Sequence, residues 1–198
     1  MARYTGPKAR IARKFGEPIL GACKALARKN YPPGQHGKKR KKTSDYGEML
    51  KEKQKAKYIY GTLERPFKNL FRKAAARKSV TGEIALQLLE TRLADTIFRL
   101  NLAPTRSAAR QLVSHGHILV GNKKVNIPSA PVQVGDVITI KQSYTQLASI
   151  KERLKNARNH SWLSWDMEKM EGKLLRLPSR EAIPEKINEQ RIIELYSK

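Results

Sequence analysis

The chain has 198 residues and sets 41 Lys and Arg against 17 Asp and Glu, a formal charge of +24 on a hydrophobic fraction of 39%. A surplus of that size repels itself unless a polyanion neutralises it, so nucleic acid is the expected partner. No uncharged apolar run approaches the roughly 18 residues of a membrane span, no signal-peptide stretch is present, and Cys23, the single cysteine, can form neither an internal disulfide nor a Cys-rich zinc site. The expected setting is the reducing cytosol.

The charge is uneven. Met1 to Lys42 holds thirteen basic side chains against one acid, Glu17, so about half of the surplus lies in this stretch. It has few large apolar residues and many breakers, among them Pro7, Gly16, Pro18, Pro32, Pro33 and Gly34, so it is expected to be mobile alone and to order on a partner. From Ser44 a capped helix runs to Gly61, and a second follows with Pro66 early and the stripe Phe67, Leu70, Phe71, Ala74 and Ala75 on one face. A third starts after Thr81 through Ile84, Leu88 and Leu89 and continues to Leu93, Ile97 and Leu100, with a break expected near Glu90. Thr105 can cap a short helix that His115 and Gly116 close. The period then changes to alternation: Ile118 with Val120, Val125 with Ile127, Val132 with Val134, and Val137 with Ile140 predict four short strands, punctuated by Gly121-Asn122, Pro128 and Gly135-Asp136. Leu147, Ile150, Leu154 and Ala157 mark one more helix. The tail, from Trp162 and Trp165 to Leu195 and Tyr196, is too apolar to stay in water.

Arg92 and Arg99 are seven apart and share a face about a quarter turn from the stripe Leu93, Ile97, Leu100, which separates charge from packing. Arg106 and Arg110 form an i, i+4 pair, and two guanidinium forks projecting together suit phosphate oxygens. His115, His117, Asn122, Lys123 and Lys124 add donors at the same edge. Asp95 reads as a surface partner of Arg92 or Arg99 rather than a catalytic acid. The four histidines form no nucleophile and base set with Cys23 or a serine, His115 and His117 have no third metal ligand nearby, and no phosphate-binding glycine loop appears.

Several longer motifs are specific. Met1 to Pro7 (MARYTGP), Pro32 to Gly37 (PPGQHG) leading into basic residues and Ser44 to Tyr46 (SDY), Glu52 to Lys55, Ile59 to Gly61, Arg106 through Val125, Asn188 to Gln190 and Ile193 to Ser197 closely resemble bacterial small-subunit ribosomal protein four. The resemblance extends over essentially the whole chain.

It implies an α+β fold: a mainly helical first domain plus an inserted helix-helix-β RNA-binding module. The implied boundaries are a basic arm over 1-43, a helical domain from 44-90 with 158-198, and the module over 91-157. It implies a primary binder of small-subunit ribosomal RNA that grips a multi-helix junction, nucleates assembly of the subunit body and contributes to translational accuracy. The fifth small-subunit protein would be the chief neighbour, and the run from Lys38 to Lys42 would lie towards the messenger entry channel. The RNA-contacting candidates are Arg3, Lys8, Arg10, Arg13, Lys14, Gln35, His36, Lys38, Lys39, Arg40, Lys41 and Lys42 on the arm, and Arg92, Thr105, Arg106, Arg110, His115, Asn122 and Lys123 on the module. Two positions depart from the resemblance. Zinc-bearing members have cysteines where this chain has Ala9 and Ala12, so no metal or other cofactor is expected, and RNA is expected to hold the arm. Where many members have Asn-Gly, this chain has Gly121-Asn122, which favours a type II′ turn.

The expected mechanism is recognition of folded RNA by shape, since side chains cannot read a deep, narrow A-form major groove. An RNA-modifying enzyme carrying the same module would need a catalytic constellation that neither flank supplies. A DNA-compacting protein or general RNA chaperone is the other alternative that charge alone would allow.

Overall fold

The computed structural model describes residues 4–39, 42–141, 148–155 and 160–197. The chain divides into two compact units, Met1–Gly82 with Glu185–Lys198, and Glu83–Pro184. The first unit joins the two ends of the chain, and the second is the continuous segment between them. No helix among the described residues is long and apolar enough to cross a membrane.

The first unit contains α1 (Lys8–Phe15), α2 (Lys24–Arg28), α3 (Asp45–Tyr60), α4 (Glu64–Ala75) and the last helix of the chain, Glu189–Ser197. Helix α3 forms where its caps dictate: the Ser44 hydroxyl accepts from the Gly47 N–H at 3.2 Å, and Gly61 ends the helix at φ 59°, a left-handed conformation that glycine adopts without strain. Helix α4 buries Phe67, Phe71 and Ala74, whereas Leu70 is half-buried and Ala75 exposed, so the apolar stripe is narrower than its spacing predicts. The Tyr196 ring stands 5.7 Å from Phe71 and 6.4 Å from Phe67, which gives the apolar tail its packing partner. Burying each such phenylalanine contributes roughly 1.5–3 kcal/mol. The arm is not featureless: α1 buries Ile11, Ala12 and Phe15, and the Phe15 ring meets Tyr58 of α3 edge-on at 6.0 Å.

The second unit contains α5 (Thr81–Glu90, which begins at the junction), α6 (Leu93–Arg99), α7 (Arg106–Ser114), α8 (Ala148–Lys155) and five strands. The final helix, Glu189–Ser197, is therefore α9. The strands are β1 (Ile118–Val120), β2 (Lys123–Lys124), β3 (Val137–Ile140), β4 (Leu163–Asp166) and β5 (Glu171–Leu174), in the order β2-β1-β3-β5-β4 with every neighbour antiparallel. Leu93, Ile97, Leu102, Val113, Ile118, Ile138, Ile150, Trp162 and Leu174 share one core. Helix α8 spans the predicted Ile150 and Leu154; Leu147 and Ala157 lie outside the described residues.

Three details differ from the sequence pattern. The stretch from Pro128 to Val132 joins no strand; instead Leu93 donates to the Ala130 carbonyl and Val132 to that of Thr91, both at 2.8 Å. Pro128 and Pro131 lack the N–H groups that a ladder uses, which breaks the two predicted strands around them. Residues 163–174, expected in the helical domain, extend the sheet, and Gly172 allows it: a Cβ there would come within 2.7 Å of Leu100 Cδ1. The β1–β2 turn has φ 53° at Gly121 and 66° at Asn122, the type I′ signature rather than type II′, because asparagine also tolerates the left-handed region.

Candidate nucleic-acid interface

The cations divide into an inward and an outward set, and two buried acids separate them. The break between α5 and α6 falls where expected: Arg92 is extended at the start of α6, with Glu90 ending α5 and Asp95 in the first turn beyond. The side chain of Glu90 is 0% exposed and that of Asp95 3%. A buried carboxylate is costly unless cations and donors surround it. Arg99 supplies two donors to Glu90, Nε at 2.7 Å and Nη2 at 2.6 Å. Arg106 donates from Nε to Asp95 Oδ1 at 2.9 Å, places Nη2 3.6 Å from Glu90 Oε1, and lies 4.7 Å over the Phe98 ring. Arg92 Nη1 is buried 3.6 Å from Asp95 Oδ2 without a hydrogen bond. Burial pushes the Asp95 carboxyl up to about 6, against the opposing pull of Arg106 and Arg92.

This network places several of the sequence candidates. Arg92 and Arg106, expected at the RNA, direct their guanidiniums at internal acids, and Arg99 is buried rather than on a charged outer face. Asp95 is a core residue, not a surface aspartate. Thr105 caps α7 by accepting from the Ala108 N–H at 3.2 Å. Arg110, one turn on from Arg106, is half-buried, and because Arg106 turns to Asp95 the two guanidiniums do not project outward as a pair. His115, Asn122 and Lys123 are exposed along the end of α7 and the β1–β2 turn, together with Lys124. His115 and His117 hold their rings 6.1 Å apart, and among the described residues no three His, Cys, Asp or Glu side chains come together as a metal-ligating group.

On the arm, Lys8, Arg10, Lys14, Gln35, His36, Lys38, Lys39 and Lys42 are exposed. Arg13 is not. It is half-buried, with donors 3.1 Å from the Tyr31 carbonyl and 3.3 Å from that of Pro32. Arg3, Arg40 and Lys41 lie outside the described residues.

One basic face escaped the sequence reading. Arg65, Lys68, Arg72 and Lys73 of α4 are exposed on the side of the helix opposite Phe67 and Phe71, and among the described residues no acid pairs with any of them. The signal was present: cations at i, i+3 and i+7 are the complement of the apolar stripe on the same helix. In contrast, Lys53 and Lys57 of α3 are committed to Glu64 at 2.8 and 2.7 Å, and Lys55 to Glu17 at 2.9 Å.

Comparison with known proteins places this geometry. The model of the ribosomal protein S4/S9 N-terminal domain matches residues 3–90, and that of the S4 domain matches residues 91–138. Relatives named small ribosomal subunit protein uS4 align over 100% of both chains: that of Amoebophilus asiaticus is 58% identical over 200 residues, that of Porphyromonas gingivalis 57% over 201 and that of Bacteroides thetaiotaomicron 58% over 201.

Proposed function

The chain belongs to the uS4 family of small ribosomal subunit proteins, and from that membership we propose that it binds small-subunit ribosomal RNA at a multi-helix junction and nucleates assembly of the subunit body. It is a structural constituent of the ribosome and not an enzyme. The observation that carries the RNA reading is the sorting of its cations. Arginines beside Glu90 and Asp95 are turned to those internal acids, while the arm, the outer face of α4 and the β1–β2 turn display cations that have no acid partner among the described residues.

Outward cations on short helices and turns meet phosphates, whose spacing in A-form helices and at a junction is set by the RNA fold; base sequence is secondary. Contributions to translational accuracy, contact with the fifth small-subunit protein, placement of Lys38 to Lys42 towards the messenger entry channel, and a cytoplasmic location belong to the same proposal. If roughly eight phosphates are neutralised, affinity falls by several orders of magnitude between low and moderately high salt through counterion release. Cosedimentation of tagged protein with the small subunit, and the salt slope of binding to its RNA, test the reading. An affinity independent of salt, or equal displacement by duplex DNA at the same phosphate concentration, would refute it.

A further inference from the structure

Arg13 is used differently from the other cations of the arm. It sits in the last turn of α1, and its fork reaches two consecutive carbonyls, Nε to Tyr31 at 3.1 Å and Nη2 to Pro32 at 3.3 Å. Its guanidinium carbon is 4.8 Å from the centroid of the Tyr31 ring, and Lys38 Nζ is 5.5 Å from the same centroid. These acceptors form the base of a loop whose other backbone hydrogen bonds, among the described residues, are few and local. Within the loop, Gly37 donates to the Gly34 carbonyl at 3.2 Å and Lys39 to that of His36 at 3.1 Å, while Pro32 and Pro33 have no N–H to give. Gly37 lies so close to the Pro32 carbonyl that a Cβ would collide with its oxygen. The loop displays Gln35, His36, Lys38 and Lys39, all exposed.

We propose that Arg13 is a positioning residue: it shapes the Tyr31–Lys39 loop so that Gln35, His36, Lys38 and Lys39 meet RNA phosphates together, and it makes no phosphate contact of its own. A planar guanidinium can serve two adjacent carbonyls and stack on a ring at once, and the point charge of lysine cannot do both. The loop then reaches RNA already shaped, and less ordering entropy is lost on binding. The RNA side of this inference rests on the function proposed above; the loop side does not.

The full-length variants Arg13→Ala, Arg13→Lys, Tyr31→Leu and Lys14→Ala separate the two sides. Amide exchange on the free protein should quicken at Gly37 and Lys39 in both Arg13 variants, less in Tyr31→Leu, and not in Lys14→Ala. Binding to small-subunit ribosomal RNA should weaken about tenfold or more in both Arg13 variants, with the salt slope falling by clearly more than the roughly 0.7–0.9 expected for one phosphate, whereas Lys14→Ala loses no more than that share. Unchanged amide exchange in Arg13→Ala overturns the loop role whatever the RNA does. Full recovery by Arg13→Lys, or a slope change of a single phosphate, makes Arg13 a direct contact instead and also overturns it. Wild-type protein that ignores the RNA would overturn the functional reading, while amide exchange would still decide the loop role.

Discussion

Arg99 grips Glu90 with two parallel hydrogen bonds, 2.7 and 2.6 Å, across the break between α5 and α6. Both side chains are withdrawn from water, 6% and 0% exposed, so neither has solvent to fall back on if the other is removed. Arg99→Leu or Glu90→Leu alone should destabilise the protein by about 3–5 kcal/mol, and the double Leu variant by much less, because the main penalty is a buried charge stripped of its hydrogen-bonded partner. Urea unfolding of the three variants checks this; equal losses in singles and double would show that the pair itself supplies the stability.

Arg106 and the α4 cations should respond in opposite ways. Arg106→Ala leaves Asp95 without its 2.9 Å donor and should cost about 1–3 kcal/mol, with RNA affinity of the folded fraction little changed. The combined variant Arg65→Gln, Lys68→Gln and Arg72→Gln should keep the melting temperature nearly constant yet lower the salt slope of RNA binding by about 0.9 for each phosphate that is no longer neutralised. Calorimetry beside a salt titration separates the two outcomes.

Thr105 is expected to act through the fold. Thr105→Ala removes the hydroxyl that accepts from the Ala108 N–H and should lower stability by about 1 kcal/mol. RNA affinity at full folding should be unchanged; a selective loss of affinity in a stable Thr105→Ala protein would instead place the hydroxyl at the RNA.

Acid should act on the two units with opposite signs. Burial raises the Glu64 carboxyl, but hydrogen bonds from Lys53, Lys57 and Tyr196 outweigh it and hold the group at about 2, below its ordinary 4.5. Its stabilising contribution is therefore present above pH 4.5 and is lost as pH falls from there toward 2. The side chain is 45% exposed, so screening keeps the effect to about 1 kcal/mol or less. Asp95 is raised to about 6 from 3.8, so the folded state gains a proton first, and its contribution becomes more favourable as pH falls through that window. Denaturation curves between about pH 7 and 2 should show the acid-side loss shrink in Glu64→Gln, and carboxyl NMR should place the Asp95 midpoint well above that of an ordinary aspartate.

Local physics made much of this legible. The Ser44 cap, the Gly61 stop, the Phe67 and Phe71 face, the break near Glu90, the Thr105 cap and the β1 pattern are all set by residues within a few positions of one another, and each lies where its chemistry requires. Strands β4 and β5 were not legible. Leu163–Asp166 and Glu171–Leu174 lack a strong alternating pattern; β4 pairs with β5, and β5 joins the sheet through β3, more than thirty residues upstream of it in the chain. The lost strands around Pro128 and Pro131 have a local cause, the missing N–H groups, but the partner they take instead, the start of α6, is set by tertiary packing.

Net charge, hydrophobic period and long motifs do not depend on how distant segments meet, and from them alone come the helical and alternating segments, the family and the expectation of a polyanionic partner. Which cations stay exposed is settled only when the chain folds. An arginine in a periodic pattern looks the same whether it faces solvent or a buried carboxylate. Folding brings Glu90 and Asp95 among Arg92, Arg99 and Arg106, and aims Arg13 at the carbonyls of Tyr31 and Pro32. Desolvation of those acids, which exists only once the chain has closed around them, is the physical reason the guanidiniums of Arg92, Arg99 and Arg106 turn inward.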